Sequence, residues 1–337
     1  MPWILLRCIG SKNRLHFILK RTGLALITVI LVSLVSFLMF SIVPGDPVSF
    51  ILGTEATPQQ IAALREEFGL DRSIPHRYFS WLGSFISGKN LYSIRFYGSP
   101  VAEMIMERLP VSVTMALLSL FFILLIAIPA SLFPAGSPGS TGDRILHSTT
   151  AVGISIPGFF LALIFTWVFG ISLKLFTPGI YIDYRDDFAG FLACLCFPAL
   201  AIAVPNAAVL TKFLRSAIQR ELESDYVRSA QSKGASPSRI LFRHVLRNAL
   251  VTSVTVFGMI IAEVFSGSIV IEQVFNIPGI GRLLIASIMS RDYPLIQSLV
   301  VYIAWTVVIA NLLSDLAIQI IDPRIRLERE VLAEAGK

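Results

Sequence analysis

Six long apolar runs constrain the fold of this chain more than any other feature. The runs cover residues 24–43, 111–133, 148–173, 190–210, 250–271 and 295–321. A bilayer core about 30 Å thick requires about 20 apolar residues in helical form, and every run reaches that length. Backbone amides in lipid find no water to bond, so each run must be helical. The sequence therefore predicts an all-α membrane protein with six transmembrane helices.

The distribution of charge predicts the orientation of these helices. Lys and Arg outnumber Asp and Glu in the segments that are internal if the N-terminus is cytoplasmic, which is the positive-inside pattern. The predicted cytoplasmic segments are 1–23, 134–147, 211–249 and 322–337. The predicted outer segments are 44–110, 174–189 and 272–294, of which the first is long enough to form a small folded element. Both termini are thus expected on the cytoplasmic side of the membrane.

Several function classes disagree with this composition. The net charge of +6 is spread over membrane-flanking loops, whereas a nucleic-acid-binding protein gathers it on one soluble face. The first apolar run is too long for a signal-peptide core and is expected to remain as an anchor. Cys8, Cys194 and Cys196 form no disulfide framework, and none of His16, His76, His147 and His244 lies in the core of a span to complete a metal site. We therefore predict no metal and no cofactor.

Part of the first outer segment has the punctuation of a helix. Thr57 and Gln60 have the spacing of a capping box, Pro58 takes the first helical position, and Gly69 closes the end. Ile61, Leu64 and Phe68 share one face of this helix, which requires a partner either within the segment or on another protein.

The inner loop 211–249 contains two successive helix starts. Ser224 is expected to cap, through its side chain, a short helix over residues 225–233, with Gly234 as a left-handed stop. Ser236 and Pro237 then predict a second helix that continues into the fifth span. Tyr226, Val227 and Ala230 form an apolar stripe on the first helix. This stripe could rest on lipid headgroups or fit a groove on a soluble partner.

Several motifs resemble those of the permease subunits of ATP-binding-cassette (ABC) importers for dipeptides, oligopeptides and nickel, and they occur in the family's order along the chain. The resemblance is to the permease subunit that has the larger first periplasmic segment. The motif that carries the most information is residues 225–234, DYVRSAQSKG, followed by HVLRNAL at residues 244–250. The others are PGDPV (44–48), FGLD (68–71), RLP (108–110), GS (267–268), ExxFxxPGxG (272–281), RDYP (291–294) and DPRIR (322–326).

The resemblance implies that the short inner helix is a coupling helix seated on an ATPase subunit. The matching positions are Tyr226, Val227, Arg228, Ala230, Lys233 and Gly234. It also implies a second, homologous permease, two ATP-binding subunits, an external substrate-binding protein and membrane lipid as partners. The six helices would then form half of a translocation pathway for peptides, with a nickel-import permease as the alternative within the family.

Other function classes are less consistent with the sequence. The chain lacks the Gly-x4-Gly-Lys-Ser/Thr loop of ATP-binding proteins, so it is predicted not to be an enzyme. A secondary transporter commonly shows repeats and intramembrane charges, whereas here only Glu263 and Asp315 lie within spans. An intramembrane acid is a functional candidate, so Glu263 is predicted either to line the pathway or to pair with a neighbouring subunit, with a hydrogen bond between helices as the structural alternative. Glu272, Pro278, Gly279 and Gly281 in the last outer loop are predicted to cap the pathway.

Overall fold

A computed structural model describes residues 10–42, 57–67, 71–93, 99–133 and 139–321. Cys8, the PGDPV motif at 44–48, most of the FGLD motif and the DPRIR motif lie outside these residues, as does the predicted helix stop at Gly69. The helices are α1 (Gly10–Ile42), α2 (Pro58–Glu67), α3 (Ile74–Ser87), α4 (Val101–Leu132), α5 (Thr141–Ser155), α6 (Gly158–Phe165), α7 (Phe188–Leu222), α8 (Asp225–Ser232), α9 (Pro237–Ile240), α10 (Leu246–Val274), α11 (Ile280–Met289) and α12 (Tyr293–Ile321). Strand pairing in the described residues is limited to one isolated bridge between Tyr92 and Pro100. The predicted all-α class is confirmed.

Five helices of the described chain are long and apolar enough to cross a membrane. They are Leu19–Ile42, Val101–Leu132, Phe188–Leu222, Pro237–Val274 and Tyr293–Ser314. A bent pair, Thr141–Ser155 and Gly158–Ser172, supplies the sixth when it is counted as one span. The expected number of about six spans is therefore confirmed.

The third apolar run, 148–173, is not the single straight helix that its hydropathy suggested. Its two halves meet at 97°. Pro157 has no amide hydrogen and disfavours helical geometry at the residue before it, and Ile156 accordingly has φ −87° and ψ 119°. After the bend, α6 passes at Thr166 into a π-helical segment, Thr166–Ser172.

The chain divides into two compact units, the first formed by Met1–Pro110 with Gly279–Leu312 and the second by Val111–Pro278 with Leu313–Lys337. In the first unit, α1 and α3 share an aromatic core. Phe37 and Tyr78 meet edge to face with ring centres 5.4 Å apart, and Trp81 packs against both. The hydroxyl of Ser33 is 2.8 Å from that of Tyr78, so the polar end of this buried ring is also satisfied.

The short helix α2 in the first unit begins as the sequence predicts. The backbone amide of Thr57 donates to Gln60 Oε1 over 3.0 Å, and the amide of Gln60 donates to Thr57 Oγ1 over 3.4 Å. The capping box is therefore confirmed. Of the predicted apolar face, Ile61 is half-buried, whereas the side chains of Leu64 and Phe68 lie outside the described residues.

Helix α7 is the centre of the second unit. Small side chains allow the neighbouring helices to approach it closely, as is usual between membrane helices. A methyl group at Gly153 of α5 would come within 2.9 Å of the Ala208 side chain, and one at Gly158 within 3.4 Å of the Ala201 carbonyl. Pro205 cannot donate to that carbonyl, because proline lacks an amide hydrogen. The bend between α5 and α6 is thus fitted against a proline-containing stretch of α7.

Candidate functional site

The inner loop forms a short helix, α8, that is followed by one continuous membrane helix. The residues Pro237–Val274 form an uninterrupted helical stretch of 38 residues. It comprises α9, a π-helical turn at Leu241–Val245, and α10. The predicted continuation of the second inner helix into the fifth span is confirmed.

Helix α8 ends in a Schellman motif at Gly234. This glycine has φ +75°, in the left-handed region that side chains disfavour. Its amide donates to the Gln231 carbonyl over 2.9 Å, and the amide of Ala235 donates to the Ala230 carbonyl over 3.2 Å. The predicted glycine stop is confirmed, and the chain reverses between α8 and α9 within a few residues.

The start of α8 differs from the prediction in one detail. Ser224 precedes the helix in an extended conformation, but its hydroxyl makes no capping bond to the helix. It donates instead to the carbonyl of Glu221 over 2.5 Å. The hydroxyl therefore bonds backward to the end of α7, and the expectation of a side-chain cap is wrong.

The apolar stripe of α8 faces the interior of its own unit. Val227 is only 1% exposed and belongs to a core cluster with Leu214, Ile218, Ile240 and Val245, while Tyr226 and Ala230 are half-buried against the same cluster. The stripe thus holds α8 against α7 and the start of the long membrane helix. The expectation that these side chains supply the contact with lipid or a partner has to be corrected for Val227, which is fully covered.

Tyr226 adds a polar anchor to this packing. Its hydroxyl donates to Glu221 Oε2 over 2.6 Å, and Asn248 Nδ2 lies 3.4 Å from the same oxygen. Partial burial raises the pKa of the Tyr226 hydroxyl, and its hydrogen bond to the Glu221 carboxylate raises it further. The phenol therefore remains a hydrogen-bond donor, and α7, α8 and α10 are joined at this point.

The opposite face of α8 is polar and open. Asp225, Arg228, Ser229 and Ser232 are exposed there, and Gln231, Lys233 and Gly234 are also exposed at its edges and end. Arg228 Nη1 lies 3.9 Å from Asp225 Oδ1, a loose surface pair of little energetic weight. Any protein that docks on α8 in this conformation would meet charged and hydroxyl groups instead of an apolar ridge.

A second inner junction, which was not predicted from the sequence, joins α5 to α7. Asp143 Oδ2 accepts a hydrogen bond from the amide of Gly139 over 2.9 Å, while the amide of Asp143 donates to Ser140 Oγ over 3.3 Å. Asp143 Oδ1 also forms an ion pair with Arg215 of α7, and both side chains are only 12% exposed. The Ser140-x-x-Asp143 spacing was a capping signal that could have located the start of α5.

The outer end of α10 is held by a buried carboxylate. Glu272 is fully buried, and Ser112 Oγ donates to its Oε1 over 2.6 Å. Asn276 then ends the helix with φ +59°, and the amide of Ile277 donates to the Glu272 carbonyl over 2.8 Å. The structure places this predicted pathway residue inside the protein, packed against α4.

The other predicted residues of the last outer loop lie in the break between α10 and α11 or just after it. Pro278 is half-buried and ends the first stretch of the second unit, and Gly279 is the buried residue that caps α11 in the first unit. Gly281 is buried within α11. The predicted interruption of helical structure by proline and glycine is therefore present, although its role in a pathway stays a prediction.

Glu263 has different surroundings from Glu272, although both residues belong to α10. Its side chain is exposed, and it lies within the apolar run of the fifth span. The side chain of Asp315 lies outside the described residues. Cys194 and Cys196 are half-buried on α7, and the described residues contain no cluster of His, Cys, Asp or Glu that could hold a metal ion.

Comparison with known proteins gives a consistent result. Residues 124–327 match the family described as binding-protein-dependent transport system inner membrane component, and residues 14–116 match the N-terminal family of the same membrane components. The oligopeptide transport system permease protein AppB of Bacillus subtilis is 35% identical over 311 residues, covering 92% of this chain and 98% of the relative. A probable peptide ABC transporter permease protein, y4tP of Sinorhizobium fredii, is 34% identical over 310 residues, covering 92% of this chain and 99% of the relative.

Proposed function

This chain belongs to the family of inner membrane components of binding-protein-dependent transport systems, and from that membership we propose that it carries peptides as one permease of an ATP-driven importer. It is a multi-pass inner-membrane protein, and its resemblance to ABC importer permeases is confirmed. Peptides are the proposed substrate because both relatives are named for peptide or oligopeptide transport.

Membership of this family implies that the chain functions together with other components of an ABC transporter. We propose the specific set of a second, homologous permease, two ATP-binding subunits and a periplasmic binding protein. The chain has no phosphate-binding loop of the Gly-x4-Gly-Lys-Ser/Thr type, so we expect ATP to be bound and hydrolysed by the partner subunits alone.

The observation that carries the coupling proposal is the rigid connection between α8 and the fifth span. Val227 and Tyr226 fix α8 to α7 and to the long helix, and the Schellman motif at Gly234 leads directly into Pro237–Val274. A displacement of α8 by a docked ATPase subunit would therefore be passed to a membrane helix instead of being absorbed in a loose loop.

We assign the docking surface to the outward polar face of α8. Its exposed groups, Asp225, Arg228, Ser229 and Ser232, suit charge-assisted and hydroxyl hydrogen bonds with a soluble partner. This differs from the sequence-based expectation, in which the apolar stripe made the contact. The apolar side chains instead give the docking surface a rigid base.

The test compares two charge changes on α8 in the complete transporter. The double variant Arg228→Glu, Ser232→Glu should lose co-purification of the ATPase subunits and lower peptide uptake by about tenfold or more, because it removes a cation from the contact and would bury two carboxylates there without partners. Gln231→Glu adds an acid at the edge of the same helix and should retain most of both activities. If the double variant keeps full uptake and full ATPase association, the assignment of this face is wrong.

A further inference from the structure

Helix α10 carries a stripe of exposed residues that differs from an ordinary lipid-facing surface. Its members recur every three or four positions and therefore lie on one side of the helix. They are Thr252, Thr255, Met259, Glu263, Ser266 and Val270. Four of the six side chains are polar, and one of these is a carboxylic acid.

The exposed face of α1 shows the contrast. Within its apolar run the exposed side chains include Leu26, Ile30, Leu34 and Leu38. Among the described residues of that run the one exposed polar side chain is Thr28, whose hydroxyl donates to the Leu24 carbonyl over 2.9 Å. Such a surface suits hydrocarbon chains. The two helices therefore expose chemically different faces, although both are apolar enough overall to cross a membrane.

The depth of Glu263 within the apolar run limits what its carboxylate can face. It is eight residues from Ile271, the outer end of the apolar run, which corresponds to about 12 Å along the helix. Charged groups at such depth almost always face a bundle interior or a water-filled cavity, because lipid cannot solvate them. In the described part of the chain, the Glu263 carboxylate forms no ion pair. The carboxylate is therefore open to a counter-charge from another molecule.

Space for such a molecule exists beside the carboxylate. Ser266 and Gly267 lie one turn further along the same side of α10, and both are exposed. A methyl group built on Gly267 would meet no atom within 4 Å. Small residues next to an exposed acid leave the carboxylate accessible to a ligand from the side.

We propose that Glu263 is a cation-binding residue of the translocation pathway, which holds the ammonium or guanidinium group of a basic side chain of the peptide in transit. The proposal rests on the function proposed above, because it takes the mobile ligand to be a peptide. A carboxylate pairs with either cation through charge-assisted hydrogen bonds, which are roughly twice as strong as neutral ones. The site therefore favours peptides with basic side chains over peptides with acidic ones.

The test measures uptake of three matched peptides by the complete transporter, with its binding protein, in proteoliposomes. The peptides have the same length and differ at one position, which is lysine, alanine or glutamate. For each peptide the rate with Glu263→Gln is divided by the rate with the wild-type chain, so that the selectivity of the binding protein cancels. Glu263→Asp retains the charge, and Met259→Leu is the control on the same stripe.

We expect Glu263→Gln to lower uptake of the lysine peptide about tenfold relative to the glutamate peptide, as is typical for loss of a hydrogen bond to a charged group. Glu263→Asp should restore the order of preference, and Met259→Leu should leave it unchanged. An equal loss for all three peptides, or no loss, would overturn the proposal. The proposal would also be overturned if the second permease no longer co-purified with the Glu263→Gln variant, because Glu263 would then pair with that subunit. Absence of ATP-dependent peptide uptake by the wild-type complex would instead contradict the proposed function itself.

Discussion

The helical stretch Pro237–Val274 is flanked at both ends by a residue in the left-handed conformation, but the two residues have opposite surroundings. Before its inner end, α8 stops at Gly234 with φ +75°; at its outer end, α10 stops at Asn276 with φ +59°. Both stops have the paired hydrogen bonds of a Schellman motif. The inner stop is open, with no atom within 4 Å of a side chain added at Gly234, whereas the outer stop follows the fully buried Glu272.

This difference indicates that the outer end of the helical stretch has a structural role, whereas the inner end is available to a partner. The outer end is fixed within its own unit, because the carboxylate of Glu272 and the hydroxyl of Ser112 join α10 to α4. The inner end is fixed only on the inward side of α8, and its outward side is left polar and exposed. Substitutions at the outer end should therefore act mainly on stability, and those on the outward side of α8 mainly on transport.

The largest expected loss of stability is for Glu272→Ala. The substitution removes a buried hydrogen bond and leaves a cavity, so the free energy of unfolding should fall by about 3 kcal/mol. Thermal or denaturant unfolding of the purified complex in detergent measures the change. Gln273→Ala, at the exposed neighbouring position, is the control and should be close to neutral. Equal stability of the two variants would show that Glu272 does not hold the outer end.

A smaller effect is expected for Tyr226→Phe at the inner end. The hydroxyl that donates to Glu221 is lost while the ring and its packing remain. The free energy of unfolding should fall by about 1.5 kcal/mol, the value typical of a hydrogen bond to a charged group. A double variant with Glu221→Gln tests the pairing, since its effect should be smaller than the sum of the two single effects. Strict additivity would argue against this bond.

The glycine stop should affect transport more than folding. Gly234→Val forces a branched side chain into the left-handed region, at a cost of about 1 kcal/mol or more. The cost is confined to the backbone, because the added atoms would meet open space. The variant should reach the membrane at near-normal levels and lose most peptide uptake, because α8 is tilted relative to the long helix.

Asparagine provides the matched control at this position, since it tolerates the left-handed region and occupies it at residue 276. Gly234→Asn should keep most uptake. If the valine and asparagine variants transport equally well, the geometry of the stop does not matter for coupling.

The smallest effect is expected for the reciprocal change, Asn276→Gly. Glycine adopts the left-handed conformation readily, so the outer stop should keep its geometry. The Asn276 amide also donates to the Gly179 carbonyl over 3.2 Å, but this contact is exposed. The free energy of unfolding should change by less than about 0.5 kcal/mol, as is usual for surface substitutions. A loss as large as that of Glu272→Ala would contradict the view that the buried carboxylate, not the stop residue, fixes this end.

The apolar runs were sufficient to predict the fold class, because hydrogen bonding in lipid permits few alternatives to a helix. Hydropathy did not reveal the 97° bend in the third run, because Pro157 interrupts the backbone without making the run polar. The capping pattern at Thr57 and the stop at Gly234 were predictable, because both depend on residues that are close in sequence.

The sequence did not predict which surfaces pack against each other, because packing depends on residues that are far apart along the chain. A stripe such as Tyr226, Val227 and Ala230 indicates that one face of a helix is covered, but not by which surface. Likewise, Glu272 and Glu263 are both acids on α10, and their residue types alone do not separate them. Only the fold shows that one is buried against Ser112 and the other is exposed.

Docking of an ATPase subunit on the outward face of α8 is tested by photo-crosslinking in the assembled transporter. One probe is placed at Ser232, and a matched probe is placed at exposed Ser266 on the stripe of α10. We expect a crosslink to an ATP-binding subunit from Ser232 and none from Ser266. Crosslinks from Ser232 to lipid alone, with the ATPase subunits bound and active, would contradict it.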